Sequence, residues 1–388
     1  MGTIKKAQRN YGIDLLRMFA MYLIVILHIL GQGGVLNATS GAKNDIAWIL
    51  EIGAYCCVNC FALISGYVGL NTKFKYTNIV MLWLNVLFYT VGITLCFTIF
   101  MPEAIRTPNG DDTLFLISPK WDYALFPVTE KEYWYFTAYV LCYFFTPILN
   151  KAVHTLEKKQ LKKALIAILL LISVPHLYTG RDVFGASFGY SAIWLMTLYL
   201  VGAYMKKYNF LSHLNKFQAI CGYIACIALT WSVMIGIDIY FPNFGRSNLL
   251  IQYTSPTIIG AAIFLLVFFK NLHMKKGICK IIGFFAPLSF SVYIIHVHPL
   301  FWKYIMRGMF KPLAKLPLPI MTISIIGAAI GLYLACSLID VIRYYIFKLL
   351  RLRKLVFFIE TKITNKFSKK DEDLFIEYNY DFDYPEKE

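Results

Sequence analysis

Long, continuous apolar runs recur along the chain and constrain its fold more than any other feature. Hydrophobic residues make up 58% of the 388 residues and charged residues only 15%, whereas soluble domains average about 45–50% apolar and about 25% charged residues. A soluble protein cannot bury that much apolar surface, but a bilayer can accommodate it. The runs also lack the alternating segments of about ten residues that build a membrane-spanning barrel. We therefore predict an all-α, polytopic membrane protein with about ten transmembrane helices.

The apolar runs divide the chain into a multi-span domain, residues 1–350, and a tail, residues 351–388. Spans are predicted at 12–34, 46–70, 79–101, 133–150, 161–178, 191–205, 217–240, 254–270, 282–302 and 319–347. Several are shorter than the roughly 20 residues that a full span needs, and the sixth and eighth are the weakest. The tail is first basic and then acidic, and this solvated composition predicts disorder.

Lysine and arginine clusters alternate between the predicted loops and indicate the orientation. One alternating set of connections is rich in these residues, and the other is poor in them apart from residues 303–315. The rich set begins with Lys5, Lys6, Arg9, Lys73 and Lys75. By the positive-inside rule this set is cytoplasmic, which places both termini in the cytoplasm. The formal net charge of +16 is thus explained by membrane topology and does not indicate nucleic-acid binding.

The nine cysteines lack the spacing of a metal site or a disulfide framework. Cys57 and Cys60 have CxxC spacing, but no second pair and no histidine accompany them. Most cysteines lie inside apolar runs, so we interpret them as small packing residues and predict no bound metal.

The first predicted span carries a carboxyl, a guanidinium and an imidazole group, those of Asp14, Arg17 and His28. A charge inside a span costs about 2.5–3.5 kcal/mol on the insertion scale, so each such residue is a functional candidate. Arg17 and His28 are eleven residues apart, about three helical turns, and therefore lie on one face with a rise of about 16 Å between them. Asp14 is within ion-pair reach of Arg17. An interface anchor and a histidine hydrogen-bonded between helices are the structural alternatives, but the shared face favours a polar path into the membrane.

Other polar candidates occur in later spans. The second span contains Asn59, Ser65 and Tyr67. For Asn59, a structural hydrogen bond between helices is as good an explanation as a functional role. His296 in the ninth span faces either the cavity of His28 or the outer interface. Asp340 and Arg343 in the last span have the spacing of a structural ion pair.

The segment from Tyr11 to His28 resembles the first helix of the acyltransferase-3 family, bacterial membrane enzymes that O-acetylate surface polysaccharides and related glycans. The marker of that helix is a basic residue, ten further residues and a histidine, here Arg17 and His28. Three further stretches are similar to family motifs: Val58–Tyr67 to G-V-(D/N)-x-F-F-x-(I/L)-S-G-(F/Y), Tyr133–Phe136 to the W-(Y/F/S)-L opening of the middle helix, and Ser289–His296 to S-x-x-x-Y-x-x-H. The resemblance spans about residues 10–300 and agrees with ten spans.

The resemblance implies a membrane-bound O-acyltransferase of the cell membrane. It would move an acetyl group from cytoplasmic acetyl-CoA, a donor substrate, to a hydroxyl of a surface polysaccharide or lipid-linked sugar. His28 would be the general base or a transient acyl carrier. Arg17, Lys73 and Lys75 would bind the anionic donor. Supporting roles fall to Asp14, Asn59, Ser65, Tyr67 and His296.

Two positions depart from the family pattern. Many members carry an R-x-x-R pair in the loop after Ser-Gly, where this chain has Lys73 and Lys75. Lysine meets phosphate as a point charge, without the bidentate fork of arginine. Many members also have an acid five residues after the tryptophan of the middle helix, where this chain has Tyr139. A second catalytic carboxylate is therefore not expected there.

Two other functions fit the same polar face. A transporter or flippase for a glycan or lipid precursor needs a polar path but no acyl donor, and is expected to show inverted repeats or broken helices. A non-catalytic partner in a polysaccharide assembly complex needs neither a polar path nor an acyl donor. In every case the lipid bilayer is a partner and nucleic acid is not, and a homodimer remains an alternative to a monomer.

Overall fold

The computed structural model describes residues 9–104, 119–244 and 247–368, and all regular secondary structure in these ranges is helical. The α-helices are α1 (Tyr11–Leu30), α2 (Ala42–Tyr55), α3 (Cys57–Gly69), α4 (Tyr76–Phe100), α5 (Pro119–Leu125), α6 (Trp134–Thr155), α7 (Lys158–Thr179), α8 (Ala192–Lys207), α9 (Lys216–Tyr240), α10 (Pro256–Lys270), α11 (Lys276–Phe285), α12 (Ser289–His296), α13 (Pro299–Phe301), α14 (Leu318–Leu349) and α15 (Leu352–Ser368). Short 3-10 turns occupy Leu36–Ala38, Pro102–Ala104, Ser187–Gly189, Pro242–Phe244, Ala286–Leu288 and Lys311–Lys315, and a π-helical turn occupies Trp302–Met306. The predicted all-α class is confirmed.

Eight helical segments among the described residues are long and apolar enough to cross a membrane. They are α1, α4, α6, α7, α9, α14 and two composite segments, α2 with α3 and α11 with α12. The polytopic membrane fold is therefore confirmed, and each of the eight corresponds to one predicted span. The cytoplasmic position of the termini stays a prediction, and Lys5 and Lys6 lie outside the described residues.

The sixth and eighth predicted spans correspond to the shorter helices α8 and α10, of 16 and 15 residues. At 1.5 Å per residue they reach about 24 Å, which is less than the roughly 30 Å of a hydrocarbon core. Both are largely buried in protein rather than exposed to lipid. A Cβ on Gly66 would lie 1.8 Å from the Tyr199 carbonyl oxygen, and one on Gly202 would lie 2.1 Å from the Leu63 carbonyl oxygen. Glycine thus allows α3 and α8 to pack backbone against backbone.

Helix α1 lies at the centre of the bundle, where it packs against α2, α3, α10, α11, α12 and α14. It is the most buried of the eight candidate spans. Of its polar side chains, Asp14 is buried, and Arg17 and His28 are half-buried. Asn10 caps its start by accepting hydrogen bonds from the backbone N–H groups of Gly12 and Ile13.

Two of the predicted spans end earlier than the apolar pattern suggested. Helix α1 ends at Leu30 and not at residue 34, because Gly31, Gly33 and Gly34 weaken helix continuation. The ninth span ends at His296 and not at residue 302, because Pro299 has no backbone N–H for the helix ladder. Both ends meet where the two helices carry a histidine.

The predicted disorder of the tail does not extend to its first part, because residues 352–368 form α15. The Glu360 carboxylate accepts hydrogen bonds from the backbone N–H groups of Tyr76 (2.7 Å) and Thr77 (2.9 Å) at the start of α4. Arg353 donates to the Asn78 side chain at 3.0 Å. These contacts hold the helix against α4, a long-range pairing that composition cannot indicate. The rest of the tail, residues 369–388, lies outside the described residues.

Candidate active site

His28 and His296 form a side-chain pair, although 268 residues separate them in the sequence. Nδ1 of His28 lies 2.8 Å from Nε2 of His296, and the ring centroids are 5.0 Å apart. His28 is half-buried and His296 is fully buried. His296 therefore faces His28, which was one of its two predicted positions.

The hydrogen bonds of this pair fix which nitrogen of each neutral ring carries a proton. Nδ1 of His296 bonds to the Val292 carbonyl oxygen, which can only accept, so this Nδ1 is protonated. Nε2 of neutral His296 is then the acceptor, and His28 donates from Nδ1. The lone pair of the His28 ring consequently resides on Nε2. No described residue hydrogen-bonds to that atom.

The segment after α12 closes the side of the pair that faces away from Arg17. The Trp302 ring meets the His28 ring edge-on, with centroids 4.7 Å apart. The Gln32 amide donates to the Trp302 carbonyl oxygen at 3.3 Å, and backbone N–H groups of residues 308 and 310 donate to the carbonyl oxygens of residues 32 and 33. The basic loop 303–315 therefore packs on the end of α1 that bears His28. Its π-helical turn, Trp302–Met306, is a feature that is frequent at functional sites.

At the other end of α1, Asp14 bridges two arginines. Its Oδ1 accepts from Arg17 at 2.8 Å and its Oδ2 accepts from Arg9 at 2.6 Å. Asp14 is buried, while 29% of the Arg17 side chain is exposed. The predicted pair is confirmed, and Arg9 is an additional partner. The carboxylate fixes Arg17 and leaves part of its guanidinium available to a ligand.

A stripe of tyrosines on one face of α6 runs past Arg17: Tyr135, Tyr139 and Tyr143. Tyr139 lies beside Ser65 and within electrostatic range of Arg17. The Tyr143 hydroxyl donates to the Lys75 carbonyl oxygen at 2.8 Å. The structure thus brings Arg17, Ser65 and the α6 stripe together. The role of Tyr139 was not evident from the sequence, because a phenol replaces the acid that many family members have.

Asn59 and Tyr67 are placed differently from this group. The fully buried Asn59 amide donates to the Tyr253 carbonyl oxygen at 2.8 Å and accepts from the Trp194 indole N–H at 3.0 Å. Its hydrogen-bonding groups therefore join α3 to α8 and to the segment before α10, and the bond between helices was one of the two predicted roles. Tyr67 lies under the Lys206 ammonium group, which is 5.0 Å from its ring centroid.

Lys73 and Lys75 lie in the loop between α3 and α4, next to α15. The Lys75 ammonium group is 5.9 Å from the centroid of the Phe357 ring. Both lysines are half-buried. Their predicted contact with an acyl donor stays a prediction.

A second basic region, which the sequence analysis had assigned to topology alone, forms an open cleft of about 620 Å³ between the start of α1 and the α10–α11 connection. Its charged lining consists of Arg9, Lys270, Lys276 and Lys280, with His273 beside them. No carboxylate lines it, although Asp14 neutralises part of the Arg9 charge. The signal available in the sequence was the four lysines within residues 270–280. This region is suited to bind an anion.

Metal-ligating side chains do not cluster in the part of the chain that the structure describes: no group of three or more His, Cys, Asp or Glu residues could hold a metal ion there. The cysteines are free thiols. Cys57 and Cys60 are both buried among the helices, where they serve as small packing residues.

Comparison with known proteins gives one match. The model of a protein family described as an acyltransferase domain, Acyl_transf_3, matches residues 10–340. No curated protein and no solved structure matches the chain. The matched range contains His28, His296, Asp14, Arg17 and every residue that lines the basic cleft except Arg9.

Proposed function

Because the chain belongs to the acyltransferase-3 family, we propose that it is a membrane O-acetyltransferase that uses acetyl-CoA from the cytoplasmic side. The acceptor is a hydroxyl of a surface polysaccharide or lipid-linked sugar, and the membrane is the cell membrane. Membership in the family establishes a membrane acyltransferase in general. The acetyl donor and the sugar acceptor are the parts that we propose.

The observation that carries the proposal is the hydrogen-bonded pair of His28 and His296, which leaves the lone pair of a neutral His28 ring on Nε2. In the reaction, the acceptor hydroxyl gives its proton to this Nε2 while its oxygen attacks the carbonyl carbon of the thioester. The C–S bond then breaks, and the CoA thiolate leaves and takes the proton from the His28 imidazolium. His296 supports this cycle by accepting from Nδ1, which keeps the lone pair of His28 on Nε2. A transient acyl carrier would use the same lone pair as a nucleophile.

The basic cleft supports an anionic donor. Helix α11 starts with Lys276, follows Lys275 and has no acidic residue in its first turn. Cations are unfavourable at the positive end of the helix dipole, whereas an anion is stabilised there by the free backbone N–H groups. The phosphates of acetyl-CoA would accept hydrogen bonds from the free N–H groups. Their negative charge would also reduce the repulsion among the lysines. Asp14 connects the cleft to Arg17 through Arg9, and the long pantetheine arm then leads along α1 toward His28.

Purified protein in lipid nanodiscs, supplied with radiolabelled acetyl-CoA and the deacetylated surface glycan, tests the proposal. We expect label to move to the glycan, and His28→Ala to reduce the rate by at least about 100-fold, the usual contribution of a general base. His213→Ala is the matched control, because His213 is exposed in a loop, and it should keep the full rate.

Full transfer by His28→Ala would contradict the assignment of His28. Movement of the glycan across a vesicle membrane without consumption of acetyl-CoA would identify a transporter instead.

A further inference from the structure

Glu51 is a carboxyl group inside a membrane-spanning segment that neither the histidine pair nor the basic cleft uses. It lies in α2, and its Oε2 atom is buried without a hydrogen-bond partner among the described residues. The residue itself is half-buried, so part of the side chain or backbone reaches the surface of the bundle although Oε2 does not. A carboxyl group in a span is costly and marks a functional candidate by default.

Tyr55, which lies near this carboxyl group, belongs to a group of three tyrosines with Tyr190 and Tyr253. Tyr55 lies one turn after Glu51 and within electrostatic range of it. The hydroxyl groups of Tyr55 and Tyr253 both approach that of Tyr190. The ring centroids of Tyr253 lie 4.8 Å from Tyr55 and 4.9 Å from Tyr190. We call Glu51 and these three residues the tyrosine cluster.

A strained turn precedes Tyr190 and determines the position of its side chain. The preceding residues Ser187, Phe188 and Gly189 all have positive φ angles, of 49°, 53° and 103°. Such conformations are strained for residues other than glycine and persist only where the surroundings impose them. The Asp182 carboxylate imposes this turn by accepting from the backbone N–H groups of residues 186 and 187. Tyr190 remains 43% exposed as a result.

Tyr253 forms the fixed floor of the cluster. It is 5% exposed, and its carbonyl oxygen accepts from the Asn59 amide. A Cβ on Gly189 would lie 2.3 Å from the Tyr253 Cβ, so only glycine permits this approach. Burial and the neighbouring Tyr190 raise the pKa of the Tyr253 hydroxyl well above its usual value. The phenol therefore stays protonated and is able to donate a hydrogen bond.

Further buried polar groups without hydrogen-bond partners among the described residues lie next to Tyr253 and Tyr55. The hydroxyl groups of Thr254 and Ser255, which follow Tyr253, are buried and have no hydrogen-bond partner in the described ranges. The same is true of the indole N–H of Trp231, whose ring packs in one cluster with Tyr55. Buried polar groups are normally paired. Unpaired groups next to Tyr253 and Tyr55 indicate that a polar ligand belongs at these tyrosines.

The tyrosine cluster is connected to the histidine pair. The Trp134 ring at the start of α6 lies 4.5 Å from the Tyr190 ring, centroid to centroid. The hydroxyl of the next residue back, Tyr133, donates to the Ile294 carbonyl oxygen at 3.2 Å, two residues before His296. A ligand held at the cluster would thus lie on the side of the bundle that carries the proposed general base.

We propose that the tyrosine cluster binds the acceptor as a neutral sugar, with aromatic faces against the ring and Glu51 hydrogen-bonded to its hydroxyl groups. Aromatic walls with a few placed polar groups are typical of ligand sites. A sugar hydroxyl both donates and accepts, so it satisfies the Glu51 carboxyl and the tyrosine hydroxyls together. The acceptor role rests on the proposed function, whereas sugar binding as such does not.

Saturation-transfer NMR on the full-length protein in nanodiscs, without acetyl-CoA, tests the site. The probes are neutral tetrasaccharides of glucose and of N-acetylglucosamine, with a tetrasaccharide of galacturonic acid as the charged comparison. We expect saturable binding of at least one neutral probe. Glu51→Leu should weaken it at least tenfold and Tyr190→Phe about threefold, while Tyr240→Phe, an exposed tyrosine at the end of α9, should leave it unchanged.

Thermal stability separates binding from structure. Replacing a buried carboxyl that has no partner by an apolar residue of similar size is neutral or stabilising, so Glu51→Leu should unfold at the same or a higher temperature than wild type. Lowered stability would assign Glu51 to the fold and overturn the proposal. Absence of saturable binding to both neutral probes, or equal binding by Glu51→Leu, would overturn it as well.

The two proposals fail in different ways. Cluster-dependent sugar binding without acetyl transfer contradicts the acetyltransferase and leaves the sugar site standing. Normal acetyl transfer with an unchanged KM for the acceptor in Glu51→Leu contradicts the sugar site and leaves the acetyltransferase standing.

Discussion

Nδ1 of His28 donates a hydrogen bond to Nε2 of His296 over 2.8 Å. Because Nδ1 of His296 is committed to the Val292 carbonyl oxygen, the direction of this bond is fixed. One histidine therefore holds the tautomer of the other. Catalytic bases in nucleophilic and general-base catalysis are often oriented in the same way, by a hydrogen bond to a neighbouring side chain.

The first prediction concerns His296 as a positioning residue. His296→Phe removes the acceptor for Nδ1 of His28 and should lower kcat about 100-fold or more while the KM for acetyl-CoA changes little. His296→Gln should restore part of the rate, because its amide oxygen can accept the same hydrogen bond. Steady-state kinetics with both variants provide the measurement. Equal kcat values for Phe and Gln would show that the hydrogen bond is not what matters.

The second prediction concerns the basic cleft. Lys276→Gln and Lys280→Gln should each raise the KM for acetyl-CoA, by roughly tenfold for the loss of a charge-assisted hydrogen bond of about 1.5 kcal/mol, and leave kcat unchanged. Added salt should reduce the difference, because it screens the remaining charges. Lys163→Gln, on the exposed side of α7, serves as the control.

The same kinetics test the donor role predicted for the loop between α3 and α4. If the donor phosphates bind at Lys73 and Lys75, their Gln variants will raise the KM and the cleft variants will not. Unchanged KM in both sets would contradict an anionic donor at either place.

The third prediction concerns a buried ion pair in α14. Arg343 donates to both oxygens of Asp340, each at 2.7 Å, and the Tyr89 hydroxyl donates to Asp340 at 2.6 Å. Asp340 is fully buried, so Asp340→Ala removes the carboxylate that pairs with the buried Arg343 and should cost about 3–5 kcal/mol of stability. The double variant Asp340→Leu with Arg343→Met should recover most of it. Thermal unfolding in nanodiscs is the measurement, and a double variant as unstable as Asp340→Ala would refute the reading of these residues as a structural pair.

The fourth prediction concerns the docking of α15. Glu360 accepts from the first backbone N–H groups of α4, as a capping residue does. Glu360→Ala should release them at a cost of about 1 kcal/mol. Hydrogen exchange at Tyr76 and Thr77 should then accelerate several-fold, while the middle of α4 keeps its protection. Thr361→Ala, at an exposed position with only a local hydrogen bond, should leave exchange at the start of α4 as it is in wild type.

Several properties of this protein follow from local sequence. Continuous apolar runs can only be solvated by lipid or by protein, so they determined the all-helical, multi-span class. The placement of Arg17 and His28 on one face of α1 depends on helical periodicity alone, and the Asp14–Arg17 pair depends on a three-residue spacing. The motif in α1 that carries the resemblance is local as well, and the family match over residues 10–340 confirms the family.

Tertiary structure decided what depends on contacts between distant segments. Apolarity does not reveal whether a short run faces lipid or protein. Only the packing of α8 and α10 shows that they are short helices buried in protein. Lysine clusters serve topology and ligand binding alike, and only the fold shows that Lys270, Lys276 and Lys280 line one cleft with Arg9. The partner of His28 lies 268 residues away. The three tyrosines of the tyrosine cluster come from three separate segments. Such pairings are set by how the helices pack, because no periodicity in the chain relates residues that are this far apart.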